Sequence, residues 1–223
     1  MQIYKGKKRL TYIKEHSISH IFSFPIEEYI QVHEYQRGEW IIHEGSPPDH
    51  LFFVVEGGAK VYVTHQNGKV SLLSFVNQSD FVGEMELLHE VYFSKGIQTS
   101  TKTICFAIPF WNYKEKLLAD AKFLRHLSIF LSNKATRMAA KYSQTLAYPL
   151  DNRLADFILQ TADNDMYREK HVTVCDFLGV SYRHLLFVLA QFCEKGYLEK
   201  EGRVYRLLDR TRLIELANAL KNE

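Results

Sequence analysis

The sequence predicts an α+β chain in three parts: an N-terminal β-roll with a short leading helix (1–113), a long helix (114–147) and a C-terminal winged helix-turn-helix (148–223). Three observations predict it. Strand-like runs alternate with turn signals at close spacing through the first half. Near Lys114 the apolar period becomes helical and stays so for about 30 residues. Beyond Pro149, two apolar helical patterns flank Gly179 and a hairpin pattern follows them.

A chain of 223 residues, 46% of them hydrophobic, is long enough for a substantial core. Thr11 to Phe22 reads as a helix whose apolar face is Ile13, Ile18, Ile21 and Phe22. Strand character follows in Trp40–Ile42, Leu51–Val55, Ala59–Thr64, Val70–Phe75 and Thr103–Ile108. Turn signals lie between them at Gly45-Ser-Pro-Pro-Asp, Gly57-Gly58, Asn67-Gly68 and Asn77-Gln-Ser-Asp. Asn67-Gly68 between two such runs predicts a type I′ hairpin, which needs positive φ at both central positions.

In the long helix, Leu124, Leu127, Leu131, Ala135, Met138, Tyr142 and Thr145 form one narrow stripe. A stripe of about six turns fits pairing with the same helix of a second copy, and the alternative is packing on its own domain. Pro149 cannot continue a helix, which makes Tyr148 to Asp151 a hinge. Asp151 to Thr161 is then an amphipathic helix with Leu154, Phe157 and Ile158 inward. Asp163-Asn-Asp reads as a loop, Leu198 to Leu207 as a hairpin around Glu201-Gly202, and Asp209 to Leu220 as a last helix.

Val172 to Leu178 and Ser181 to Lys195 are the helices on either side of Gly179. The turn needs a left-handed residue, which glycine supplies without penalty. Cys175 is the small residue where the two helices cross, and Val174, Leu178, Val180, Leu185 and Val188 form the wedge between them. Ser181 caps the second helix. Tyr182, Arg183 and His184 then project from the turn that enters a major groove in this motif. Arg183 can pair bidentately with guanine, while Tyr182 and His184 can reach bases or phosphate. Phe187 departs from a polar reading face and is expected either to pack or to meet a thymine methyl. The hairpin offers Lys200, Arg203 and Arg206 to phosphates, against Glu199 and Glu201.

Charge adds little to this reading. The chain carries 28 Lys and Arg against 26 Asp and Glu. From Leu150 onward the count is 11 against 12, and only Ser181 to Arg212 is locally basic, at seven against four. The three cysteines, Cys105, Cys175 and Cys193, have neither metal-ligand nor redox spacing and are expected to be buried thiols, the alternative being a redox sensor. A run of 18 or more apolar residues is absent, and Thr11 to His20 is too polar for a signal peptide, so a cytoplasmic protein without membrane contact is expected. The sequence holds no phosphate-cradling Gly-rich loop, nucleophile elbow or metal-spaced His pair, so no enzyme is expected. Glu84 and Glu86 read as pocket architecture on a strand or loop.

Roll, long helix and helix-turn-helix in this order resemble the CRP/FNR superfamily of bacterial transcription regulators over nearly the full length. Gly38-Glu-Trp-Ile-Ile-His-Glu-Gly is similar to its early-strand signature, and Phe81-Val-Gly-Glu-Met-Glu to its effector-pocket signature. Pro149-Leu-Asp-Asn-Arg-Leu-Ala-Asp-Phe-Ile-Leu and Gly179-Val-Ser-Tyr-Arg-His-Leu-Leu-Phe-Val-Leu-Ala-Gln-Phe resemble the YeiL branch.

The resemblance implies a cyclic-nucleotide-binding-like jelly roll with Gly83, Glu84, Met85, Lys95, Gly96, Met138 and Ala139 at an effector pocket. It also implies a homodimer on double-stranded DNA, with RNA polymerase as a partner. The Arg-Ser pair of cAMP-binding members falls on Lys95-Gly96, and the adenine-recognising hydroxyls fall near Met138 and Ala139. Lysine lacks arginine's planar fork, so an effector other than cAMP, or none, is expected. Four thiolates for an iron–sulfur cluster are lacking. Haem is not expected either, although His65, His89 and His126 are conceivable ligands. The competing reading is a cyclic-nucleotide-responsive regulator, or a cyclic-nucleotide-binding module acting on a partner protein, which has no use for a helix-turn-helix.

Overall fold

The computed structural model describes residues 1–89 and 93–221. The chain divides into two compact units, Met1–Lys134 and Ala135–Glu223.

In the first unit β1 (Gln2–Ile3) and α1 (Gly6–Glu15) lead into two short 3-10 turns, Ser19–Ile21 and Ile26–Glu28. Strands β2 (Gln31–Tyr35), β3 (Trp40–Ile42), β4 (His50–Glu56), β5 (Ala59–Thr64), β6 (Val70–Val76) and β7 (Phe81–Val82) follow. After them come α2 (Glu84–Leu88), β8 (Gly96–Thr99), β9 (Thr103–Pro109), α3 (Phe110–Ala119) and the first half of α4 (Ala121–Ala147). Two antiparallel sheets result, ordered β1-β2-β9-β4-β7 and β3-β8-β5-β6. This is the expected roll.

Side-chain alternation explains why it closes. In β4, Leu51, Phe53 and Val55 join a core with Ile13, Leu117, Phe123 and Leu127 of the helices, while Phe52 and Val54 join a second core between the sheets. In β9, Ile104, Phe106 and Ile108 face the helices, and Cys105 and Ala107 face the roll interior. Both faces of these strands are buried, so they read as continuous apolar runs. Each large side chain buried there contributes roughly 1.5–3 kcal/mol. Burial also pushes the Cys105 thiol up to about 12, as suits an inert core residue.

Several expectations shift. The helix expected over Thr11 to Phe22 begins at Gly6 and ends at Glu15, and Ile18, Ile21 and Phe22 are buried through the 3-10 turn instead. The Ser17 hydroxyl accepts from the Ser19 amide at 3.3 Å there, a local bond that competes with the helix. At Asn67-Gly68 only Gly68 has positive φ, +78°. Its amide donates to the His65 carbonyl and the His65 amide to Lys69, each at 2.8 Å, so this is a three-residue loop ending in a left-handed glycine. Two adjacent positive φ angles occur instead at Asn164 and Asp165. Strand β2 escapes a hydrophobicity pattern because His33 and Glu34 are buried within it. Glu34 accepts from Tyr4 and pairs with Lys102 at 3.1 Å.

The long helix is also two helices. Asp120 ends α3, accepts from the Lys122 amide at 3.0 Å and so caps α4, while its other oxygen accepts from the Ser23 amide at 2.8 Å. The stripe on α4 splits in turn. Leu127 is fully buried in its own domain and serves the roll, while Leu124 and Leu131 are half-buried at the edge of the same core. Ala135, Met138 and Tyr142 are exposed, as is Leu146 at 74%. The boundary between the two compact units falls within α4, at 134/135.

The second unit comprises the rest of α4, α5 (Leu150–Thr161), β10 (Met166–Tyr167), α6 (His171–Leu178), α7 (Tyr182–Glu194), β11 (Leu198–Glu201), β12 (Val204–Leu207) and α8 (Arg210–Asn218). The unanticipated β10 pairs with β12 to extend the hairpin to three strands. It follows from the tight turn at Asn164-Asp165, where Asp163 and Met166 exchange two backbone bonds at 3.0 and 3.1 Å. Among the described residues, no single helix is long and apolar enough to cross a membrane.

Candidate nucleic-acid interface and effector pocket

Gly179 takes φ +65° and ψ 42°, and the chain bends by 106° between α6 and α7. The Val180 amide donates to the Cys175 carbonyl at 3.0 Å. Val174, Cys175, Leu178, Leu185 and Val188 are buried and Val180 half-buried, so the expected wedge is in place. Arg153 of α5 adds a clamp that spacing does not reveal: its guanidinium donates to the Leu178 carbonyl at 2.6 Å and the Tyr148 carbonyl at 3.2 Å. A Cβ at Gly179 meets nothing closer than Thr145 Cγ2 at 4.0 Å, so its cost is conformational alone. Gly179→Ala is expected to lower the stability of this unit by about 1–2 kcal/mol, read by thermal or urea denaturation. An unchanged midpoint would show that the turn does not need a left-handed residue.

The Ser181 hydroxyl accepts from the His184 amide at 3.2 Å, the expected cap of α7. Leu185, Val188, Leu189 and Phe192 face inward, whereas Tyr182, Arg183, His184, Leu186 and Phe187 are exposed. Tyr182 meets His171 at the start of α6, with its hydroxyl 3.4 Å from Nδ1. Burial and then the Lys200 charge hold His171 below the usual histidine range, and its ring lies 6.1 Å from that of Tyr205 on β12 of the hairpin. His171 therefore belongs to this surface although no pattern singled it out; only the pairing of β12 with β10 and β11 brings it near.

Of the three hairpin cations, Lys200 and Arg203 are exposed. Arg206 is exposed as well, and it pairs with Glu201 across the hairpin. The register explains it. Lys200 lies opposite Tyr205, and Arg206 lies opposite Glu199. Period-two alternation therefore puts Arg206 and both glutamates on the face away from Lys200.

In the first unit, Gly83 starts α2 at φ +87°, and a Cβ there would stand 2.8 Å from the His50 carbonyl. Glu84 and Glu86 thus sit on a short helix, not on the strand or loop expected. Glu84 is buried and bonded to Lys134 Nζ of α4 at 2.6 Å; Met85 is half-buried. Lys95 lies beside the Phe93 ring, with its ammonium 5.4 Å from the centroid, and contributes to holding the Glu44 carboxyl below its usual range, after the larger effect of the Thr64 hydroxyl. Gly96 is covered by Trp40: a Cβ would come within 2.9 Å of the indole, which would have to shift for any side chain. Gly83, Glu84 and Lys134 are thus brought together, while Met138 and Ala139 are exposed in the second unit.

These geometries match known proteins. Residues 32–119 fit the cyclic nucleotide-binding domain family. Regulatory protein YeiL of Escherichia coli O157:H7 is 41% identical over 179 residues, covering 80% of this chain and 82% of that protein. The cAMP-activated global transcriptional regulator CRP of the same organism is 25% identical over 133 residues, 59% of this chain and 63% of CRP. A solved structure from Eubacterium rectale ATCC 33656, assigned to the CRP/FNR family of transcriptional regulators, superposes with a TM-score of 0.71 at 19% identity, covering 86% of this chain and 92% of its own. With a jelly-roll first unit, a helix-turn-helix second unit and this identity to YeiL, the chain belongs to the CRP/FNR superfamily of transcription regulators, on the YeiL branch.

Proposed function

We propose that the chain is a homodimeric, sequence-specific DNA-binding regulator acting in the cytoplasm, with RNA polymerase as a partner and no catalytic activity of its own. The observation that carries this is the α6–α7 geometry, with the Ser181-capped end of α7 presenting Tyr182, Arg183 and His184 to solvent. Lys200 and Arg203 grip phosphates and set orientation. The exposed Ala135, Met138, Tyr142 and Leu146 support pairing of the second half of α4 between copies. Two recognition helices then read a palindrome with half-sites about 34 Å apart, and the hinge at Tyr148 to Asp151 carries the switch.

The effector of this reading is a small molecule other than cAMP, or none, and neither an iron–sulfur cluster nor haem takes part. Trp40 over Gly96 and the Lys134 ammonium on Glu84 support it, since the first leaves no room for a side chain at Gly96 and the second already pairs the Glu84 carboxylate. The match of residues 32–119 to the cyclic nucleotide-binding domain favours the second reading, a cyclic-nucleotide-responsive regulator. Thermal shift separates them: stabilisation by several degrees at micromolar cAMP would establish the second.

The DNA reading is tested by gel shift on a selected site. Arg183→Ala is expected to reduce discrimination against a substituted guanine by about 1–3 kcal/mol, with non-specific binding retained. Unaltered site preference would remove α7 from the reading role.

A further inference from the structure

Phe187 stands in water on the helix that, in the reading above, enters the groove. The residue is 59% exposed and lies outside the buried core. It lies four residues beyond Arg183, on the same face, and Leu186 beside it is 38% exposed. The inward face of α7 is already complete with Leu185, Val188, Leu189 and Phe192, so no slot in the core is left for Phe187 to fill. A single exposed aromatic is ordinary by itself. What distinguishes this one is its alignment with Arg183 one turn from a capped helix end.

Among the edges that base pairs show in the major groove, the C5-methyl of thymine is the apolar one. We infer that Phe187 is a specificity-determining residue that packs on a thymine methyl in each half-site. Four residues of helix rise about 6 Å, or nearly two base-pair steps of about 3.4 Å. The thymine therefore lies within about two base pairs of the guanine that Arg183 reads. This inference rests on the proposed DNA reading and adds the base that the apolar face selects.

The test uses the full chain and its own selected site. Randomised duplexes are first enriched by binding, then each thymine of the enriched site is replaced singly by deoxyuridine, which removes only the methyl group. For the unaltered protein, one symmetry-related thymine per half-site is expected to weaken binding about four-fold per substitution, the worth of one methyl-sized group. Phe187→Ala, at an exposed position, is expected to bind thymine and deoxyuridine sites equally while keeping the guanine preference. Indifference of the unaltered protein to every deoxyuridine overturns the inference while leaving the DNA reading intact, provided Arg183→Ala still relaxes the site. A deoxyuridine effect that persists in Phe187→Ala assigns the methyl to another side chain and overturns it too. A protein that enriches no sequence overturns both.

Discussion

Acidification from pH 7 to 4 is expected to remove on the order of 3 kcal/mol of folding stability through one residue, His33. His33 is buried in β2, with Nε2 3.0 Å from the Gln31 side-chain oxygen and Nδ1 3.4 Å from the Tyr35 hydroxyl. Burial, and then the nearby charge of His50, lowers it from the ordinary 6.5 to about 4. The His50 ring is 5.4 Å away and is itself held low by burial, with Asp49 acting in the opposite direction. Above pH 6.5 both folded and unfolded chains keep His33 neutral, and the contribution is fully present. Between 6.5 and about 4 only the unfolded chain takes up the proton, so stability falls as pH falls. Urea titrations across this window should show the wild type losing about 3 kcal/mol more than His33→Asn. Equal pH slopes for the two proteins would refute the assignment.

Lys134→Met is expected to destabilise the first unit by about 2–3 kcal/mol. The Lys134 ammonium bonds Glu84 at 2.6 Å, with side-chain exposures of 36% and 4%. Removing one member of a buried pair strands the other's charge, at a cost of about 3–5 kcal/mol when both are fully buried. The solvent at Lys134 screens part of that, which sets the smaller figure. Replacing both members with apolar residues, Glu84→Leu with Lys134→Met, should restore stability to within about 1 kcal/mol. Chemical denaturation of the two single variants and the double variant gives the coupling directly. If Lys134→Met alone matches the wild type, the bond contributes nothing to the fold. The same pair joins the pocket helix α2 to α4, so the variant also tests whether that link replaces a ligand, by comparing DNA affinity with and without it.

The helix-turn-helix was the most legible part of the chain because its requirements are local. A left-handed Gly179, a capping Ser181 and inward residues three and four apart are written within one short segment, and the structure repeats them. The strands β4, β5, β6 and β9 were legible for the same reason. Strand β2 was not, since its buried His33 and Glu34 read as surface residues until Tyr4, Lys102 and Tyr35 are seen around them. The spacing of the stripe on α4 predicts a single surface, yet its residues divide between a packed half and an exposed half.

By itself the sequence determined the order of roll, long helix and reading helix, the turn at Gly179, and the residues at the tip of α7. The tertiary structure decided that Leu127 belongs to the roll core, that Arg206 is held by Glu201, that Trp40 covers Gly96, that Lys134 holds Glu84, and that Phe187 is left in water. Most of the second group depend on partners remote in sequence, such as Glu84 and Lys134, 50 positions apart. Periodicity reports which face a residue occupies within its own element. What stands opposite that face is set by packing between elements, and burial and charge there decide which side chains stay free to act.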